Sequence, residues 1–176
     1  MINRILQTLG LSRTEQSKER IDIWEAVLEI QLSLSNMENL NCGGCGFFAK
    51  LMSDELRRLG QDHRIVYIND RRVGTTRKRI KEVMVKGGHR VPGIAADHVL
   101  IRIGDTWFDG HSTFGKPPLR TYGSRYVGNV SNQQLEVALE RGHWNSSFDR
   151  KKDGAKVRKV VRSVMRRVHP IMKTNT

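Results

Sequence analysis

The stretch Asn41-Cys42-Gly43-Gly44-Cys45-Gly46-Phe47-Phe48-Ala49 decides how this chain is read. After Cys45, the residues Phe48, Leu51, Met52, Leu56 and Leu59 recur at helical spacing, and Gly60 stands where a C-terminal glycine cap belongs. Two glycines ahead of Cys45 allow a tight loop that delivers it to the first helical turn. The unpaired N–H groups and the positive dipole end there favour an anion, and a thiolate is one. The same N–H groups can hold an oxyanion, and Asn41 is placed to donate a second hydrogen bond to it.

Cys42 competes for the nucleophile's role, but it precedes the glycines and falls outside the expected helix, so it lacks the dipole. A C-x-x-C pair also fits redox chemistry or half a zinc site. No second C-x-x-C and no H-x-x-x-H occurs in the chain, so redox and metal readings stay as alternatives and no metal or cofactor is expected. Free cysteines are also often plain buried residues.

Downstream, Val99, Ile101 and Ile103 alternate with His98, Leu100 and Arg102, which is a strand pattern. Gly104-Asp105 suits a two-residue type II′ turn. Ile103 then faces Thr106, Leu100 faces Asp109 and His98 faces His111. His98 and Asp109 become diagonal neighbours on one face, roughly 7–8 Å apart at the backbone and within side-chain reach. Asp97 points to the other face and Asp105 is explained by the turn. His111 shares the face and is a rival base. Cys45, His98 and Asp109 thus supply a nucleophile, a base and an orienter, the set that thiol acyl transfer needs.

These residues carry a resemblance. "NCGGCGFFA" opening a helix, followed by "DHVLIRI" and "TWFDG", resembles the transglutaminase-like branch of the papain-like cysteine enzymes, over roughly residues 41–115. That superfamily includes peptidases, transglutaminases and arylamine N-acetyltransferases. The resemblance implies a papain-like core in which Cys45 is the nucleophile, His98 the base and Asp109 the third member. Trp107 matches an aromatic found shortly before the acidic residue. A protein or peptide substrate is implied, and no cofactor. Small proteins with this block are similar to phage and bacterial proteins, which implies the host cytoplasm or a virion as the location.

At 176 residues, one domain with a real core is expected. Two close cysteines do not make a secreted disulfide framework, and no signal peptide or membrane-length apolar run is read, so a reducing cytoplasmic setting is expected. The net charge is +13. Part of it lies between Arg71 and Arg90. The charge is also concentrated in a tail over 150–176, set apart from a catalytic-type unit over 1–149. In that tail Val157, Val160, Val161, Val164 and Val168 form one helical stripe ended by Pro170, and Arg158, Lys159, Arg162, Arg166 and Arg167 fall elsewhere. The valines can dock the helix on the core. The cations can hold a polyanion such as nucleic acid or an acidic partner. With aromatics at 6% and no recognition motif, the charge supports phosphate attraction without base readout.

At the N-terminus, a short helix near Ile5–Leu9 precedes a longer one over Thr14–Leu34, with Ser12 and Glu15 as its capping box and Ile21, Trp24, Leu28 and Leu32 as its core face. A further helix starts at Ser131, with Gln134 three residues on, and stops by Gly142. The expected architecture is α+β, with helices at both ends and the Cys45 helix packed on a central antiparallel sheet. The leading functional expectation is a thiol hydrolase or acyltransferase acting on an amide or ester. The competing one is a non-enzymatic basic module for nucleic acid or virion assembly.

Overall fold

The computed structural model describes residues 20–41, 43–69, 83–84, 90–91, 98–124, 126–140 and 148–170. Among these residues the chain is α+β. Its helices are α1 (Ile23–Leu34), α2 (Cys45–Arg58), α3 (Asn132–Glu140) and α4 (Lys152–Met165). Its strands are β1 (Arg64–Asn69), β2 (Val83–Met84), β3 (Arg90–Val91), β4 (His98–Ile103), β5 (Thr106–Phe108), β6 (Thr113–Phe114) and β7 (Tyr126–Val130). Five strands form one sheet in the order β6-β5-β4-β1-β7, every neighbour antiparallel, and β2 and β3 form a separate ladder. Among the described residues no helix is long and apolar enough to cross a membrane.

The sheet alternation sorts two apolar layers. Ile65, Val99, Ile101, Ile103, Phe108 and Val130 pack with residues of all four helices. On the other face, Val66, Ile68, Leu100 and Trp107 pack with Phe114, Leu119 and Tyr122. Helices therefore cover one face of the sheet, and loop residues after β6 cover part of the other.

The hairpin register follows the sequence reading: Ile103 pairs with Thr106, Arg102 with Trp107 and Ile101 with Phe108. Gly104 has φ +56°, while Asp105 keeps a negative φ, as a type II′ turn demands. Gly60 caps α2 with φ +73°, and its N–H donates to the Arg57 carbonyl. Ser131 and Gln134 make a reciprocal capping box on α3: the Ser131 N–H donates to Gln134 Oε1, and the Gln134 N–H donates to Ser131 Oγ.

Helix α1 departs from expectation twice. It starts at Ile23, not Thr14, capped by Asp22, whose Oδ1 accepts from the N–H groups of Trp24 and Glu25 while Glu25 accepts from the Asp22 N–H. Ser12, Glu15 and the Ile5–Leu9 segment lie outside the described residues. The buried face also differs. Ala26, Val27, Ile30, Gln31 and Leu34 are buried, whereas Trp24, Leu28 and Leu32 are 38%, 57% and 66% exposed. The helix is apolar on two adjoining stripes, so spacing alone admits either. The face that can also lend a hydrogen-bonding Gln31 to the sheet is the one that is buried.

Helix α4 docks through its valines: Val157, Val161, Val164 and Val168 are buried, and Val160 is half-buried. It ends at Met165 rather than at Pro170. Val168 leaves the helix to bridge Ile21.

Candidate functional site

Gly43 takes φ +111°, a left-handed conformation that favours glycine. Gly44 is the N-cap of α2, and a Cβ there would stand 2.6 Å from the Phe148 ring and 2.8 Å from the Leu40 carbonyl oxygen. The double glycine is what lets the chain turn tightly enough to start the helix at Cys45. Among the described residues no side chain caps this terminus and no acidic residue occupies its first turn, which favours an anion there.

His98 opens β4, and Asp109 follows β5 in a turn closed by its own N–H to the Ser112 carbonyl. Cys45 and His98 are each 1% exposed and Asp109 is 0% exposed. His98 Nε2 lies 2.9 Å from Asp109 Oδ2, in the diagonal relation the register requires. Asp109 Oδ1 accepts from the N–H groups of His111 (2.8 Å) and Ser112 (2.9 Å). His111 is therefore a backbone donor to the carboxylate; its own ring is not the one bonded to Asp109. Trp107 sits on the His98 face inside the second apolar layer, with Arg102 stacked 5.3 Å from its ring centroid.

Burial opposes charge on Asp109, but the bonds from His98, Tyr122 and the His111 N–H outweigh it and draw the carboxyl down to about 2. Burial likewise opposes charge on His98. The bond to Asp109 and the hydrogen-bonding and charge of Cys45 outweigh it and push the imidazole up to about 9. Because Asp109 occupies Nε2, the influence of Cys45 falls on Nδ1. That nitrogen is buried and makes no hydrogen bond of ordinary geometry. Cys45 thus contributes to the raised imidazole without an ordinary hydrogen bond to it among the described residues. With Nε2–H donating to Asp109, Nδ1 is the nitrogen that exchanges a proton with a thiol, and an imidazole raised to about 9 holds that proton near neutral pH.

Two residues the sequence reading missed complete the site. The Tyr122 hydroxyl donates to Asp109 Oδ2 at 2.5 Å, and its ring stacks on His98 with centroids 4.1 Å apart. Gln31, buried in α1, donates to the Asp109 carbonyl at 3.1 Å and exchanges hydrogen bonds with Thr113. A glutamine on an otherwise apolar helix face was the available signal for Gln31. Tyr122 lies in a loop with no periodicity and gave none.

Asn41 ends the 3-10 turn Glu38–Leu40, and its Oδ1 is buried with no hydrogen-bond partner among the described residues. Cys42 and nearly all of Arg71–Arg90 lie outside the described residues. Among the described residues no group of three or more His, Cys, Asp or Glu could hold a metal ion. The tail cations divide. Arg158 lies 5.4 Å over the Phe47 ring, Arg162 is 4.0 Å from Glu55, and half-buried Arg167 pairs with Glu29. Lys159 and Arg166 stay exposed without an ion pair among the described residues.

A cleft of about 490 Å³ lies further along α2, lined in part by Ser53, Arg57, His63 and Asn132. Ser53 Oγ is 2.7 Å from His63 Nε2, and His63 Nδ1 is 2.8 Å from the Gln61 carbonyl. Ser53 is 1% exposed within the helix, and a carbonyl in place of a carboxylate leaves that imidazole without an anionic partner. This cleft does not include Cys45, His98 or Asp109. No protein-family model matches the chain, and neither a curated protein nor a solved structure matches it.

Proposed function

We propose that this protein is a cysteine-dependent hydrolase or acyltransferase, peptidase- or transglutaminase-like, with a papain-like core and a Cys45-His98-Asp109 triad. The observation that carries the reading is buried His98 held through Nε2 by Asp109, its Nδ1 without a hydrogen bond among the described residues, together with Cys45 at an uncapped helix N-terminus whose hydrogen bonding and charge raise the imidazole. Nδ1 takes the proton of the Cys45 thiol. The thiolate attacks the carbonyl carbon of an amide or ester, and the carbonyl electron pair moves to oxygen. The first-turn N–H groups of α2, with Asn41 beside them, are the donors available to that oxyanion. Collapse expels an amine or alkoxide, which leaves with the proton from the imidazolium, and a Cys45 thioester remains. Water then gives the acid, or an amine gives a new amide, with His98 again taking the proton. Asp109 holds the ring and stabilises the imidazolium without itself being protonated. A protein or peptide substrate and a reducing, cytoplasmic setting suit a free thiol used this way.

Intact-mass measurement after incubation with activated peptide esters tests the reading. One acyl group should appear on Cys45, be removed by hydroxylamine, and be absent in Cys45→Ala. Absence of any Cys45 adduct across a range of esters and pH would sink the enzyme reading. A reversible Cys42–Cys45 disulfide in its place would support the redox alternative.

A further inference from the structure

We propose that the outward face of α4 is a docking surface for the phosphate backbone of duplex nucleic acid. Helix α4 buries Gly154, Val157, Val161, Val164 and Met165. On the opposite side, Lys152, Lys156, Lys159 and Arg166 recur at helical spacing and are all exposed. At 1.5 Å per residue, this stripe runs about 21 Å, the axial length of about six phosphates on one strand.

The acidic groups at the helix are engaged away from the stripe's middle, Asp153 in its first turn by accepting from the Asp149 N–H. Glu29 pairs with Arg167, Glu55 with Arg58 and Arg162, and Asp149 caps the N–H groups of Lys151 and Lys152. Lys156, Lys159 and Arg166 make no ion pair among the described residues. The flanking Arg158 is spent on Phe47. The proposed set differs from the one expected from sequence: Arg158, Arg162 and Arg167 leave it, and Lys152 and Lys156 join it.

Two observations choose the partner. A helix that lies in a bilayer surface inserts its apolar face, and here that face is used against the core. The stripe also carries no aromatic side chain, and single-strand binding draws much of its energy from base stacking. Regular charge without aromatic groups fits a duplex backbone read without sequence preference.

The test uses the full chain, a short labelled duplex DNA and fluorescence anisotropy over a series of NaCl concentrations. A variant carrying Lys156→Glu, Lys159→Glu and Arg166→Glu is compared with one carrying Arg64→Glu, Lys116→Glu and Arg120→Glu, which has the same net charge on other surfaces. The α4 variant should lose at least about tenfold in affinity, and the slope of log K against log salt should shrink by about 3, at ~0.9 per contact. The control should change by no more than about threefold, the long-range share of the field. Unchanged circular dichroism and Cys45 alkylation certify folding and keep this test separate from the thiol reading. If the reversal variant misfolds, Gln at the same three positions replaces it, with the same expectation for the slope. Equal losses in both variants, no loss in the α4 variant, or tighter wild-type binding to polyglutamate or anionic vesicles than to the duplex would each overturn the proposal.

Discussion

Tyr122 and His98 share one oxygen of Asp109: the phenol donates to Oδ2 at 2.5 Å, the imidazole meets the same atom at 2.9 Å, and the two rings stack. The carboxylate is thereby saturated, because Oδ1 already accepts two backbone N–H groups. Tyr122→Phe should keep the stack and remove one donor. Asp109 should then bind protons more tightly and lend more charge to His98, raising the imidazole's pKa. Tyr122→Ala removes the stack as well and admits water to the ring. Titration of the His98 ring by NMR should show the Phe variant above wild type. Turnover should fall by less in Phe than in Ala. Identical His98 titration in wild type and Tyr122→Phe would leave the phenol a packing group only.

The shifts at His98 and Asp109 give opposite pH limits on stability. An imidazole raised from 6.5 unfolded to about 9 folded stabilises the protein fully below pH 6.5 and stops doing so as pH rises through 9. A carboxyl lowered from 3.8 to about 2 stabilises it above pH 3.8, and the contribution is lost as pH falls through 2. The stability advantage of wild type over His98→Gln should therefore be largest between those windows and shrink from pH 6.5 to 9. Urea denaturation midpoints of both proteins across that range measure it, and a constant difference would contradict the raised imidazole.

Cys45 is one of the groups that raise the His98 pKa. Replacing its sulfur with Cys45→Ala should lower that pKa while preserving the fold, since Ala occupies a buried site of similar size. The His98 ring resonances report it directly. A His98 titration indifferent to the Cys45 side chain would separate the two groups and remove the base from the mechanism.

Much of this was legible in sequence because it rests on local rules. The II′ turn at Gly104 fixes the hairpin register, and the register alone brings Asp109 to His98. The capping box at Ser131 and the glycine cap at Gly60 are likewise short-range. What was not legible depends on distant packing. Gln31 reaches Asp109 across 78 residues of chain, and Tyr122 reaches it from an irregular loop. The choice between two apolar stripes on α1 is settled by what it packs on, chiefly α4, which spacing within the helix does not encode.

That misassigned face is itself testable. Leu28 and Leu32 were expected in the core, where truncation costs about 2–5 kcal/mol. At 57% and 66% exposure, Leu28→Lys and Leu32→Lys should each change stability by no more than about 0.5 kcal/mol. Val27→Ala and Ile30→Ala, on the buried face, should cost several times more. Chemical denaturation of the four variants compares the faces, and the reverse order would restore the spacing-based assignment.

Gly44 links the loop to the chemistry. Adding a methyl group there sets it 2.6 Å from the Phe148 ring and 2.8 Å from the Leu40 carbonyl oxygen. The ring can shift, but the carbonyl belongs to the 3-10 turn that feeds the loop. Gly44→Ala should therefore destabilise the protein by about 1–3 kcal/mol, the usual cost of overpacking. It should also slow Cys45 alkylation, because relief of the clash moves the start of α2 away from His98. In a Phe148→Leu background the smaller side chain yields more easily, so the same substitution should cost less there, while the carbonyl contact keeps some of the penalty. A double-mutant cycle read by denaturation, with alkylation rates for all four proteins, measures both effects. Full stability and full reactivity in Gly44→Ala would mean that the loop does not fix the position of the thiol.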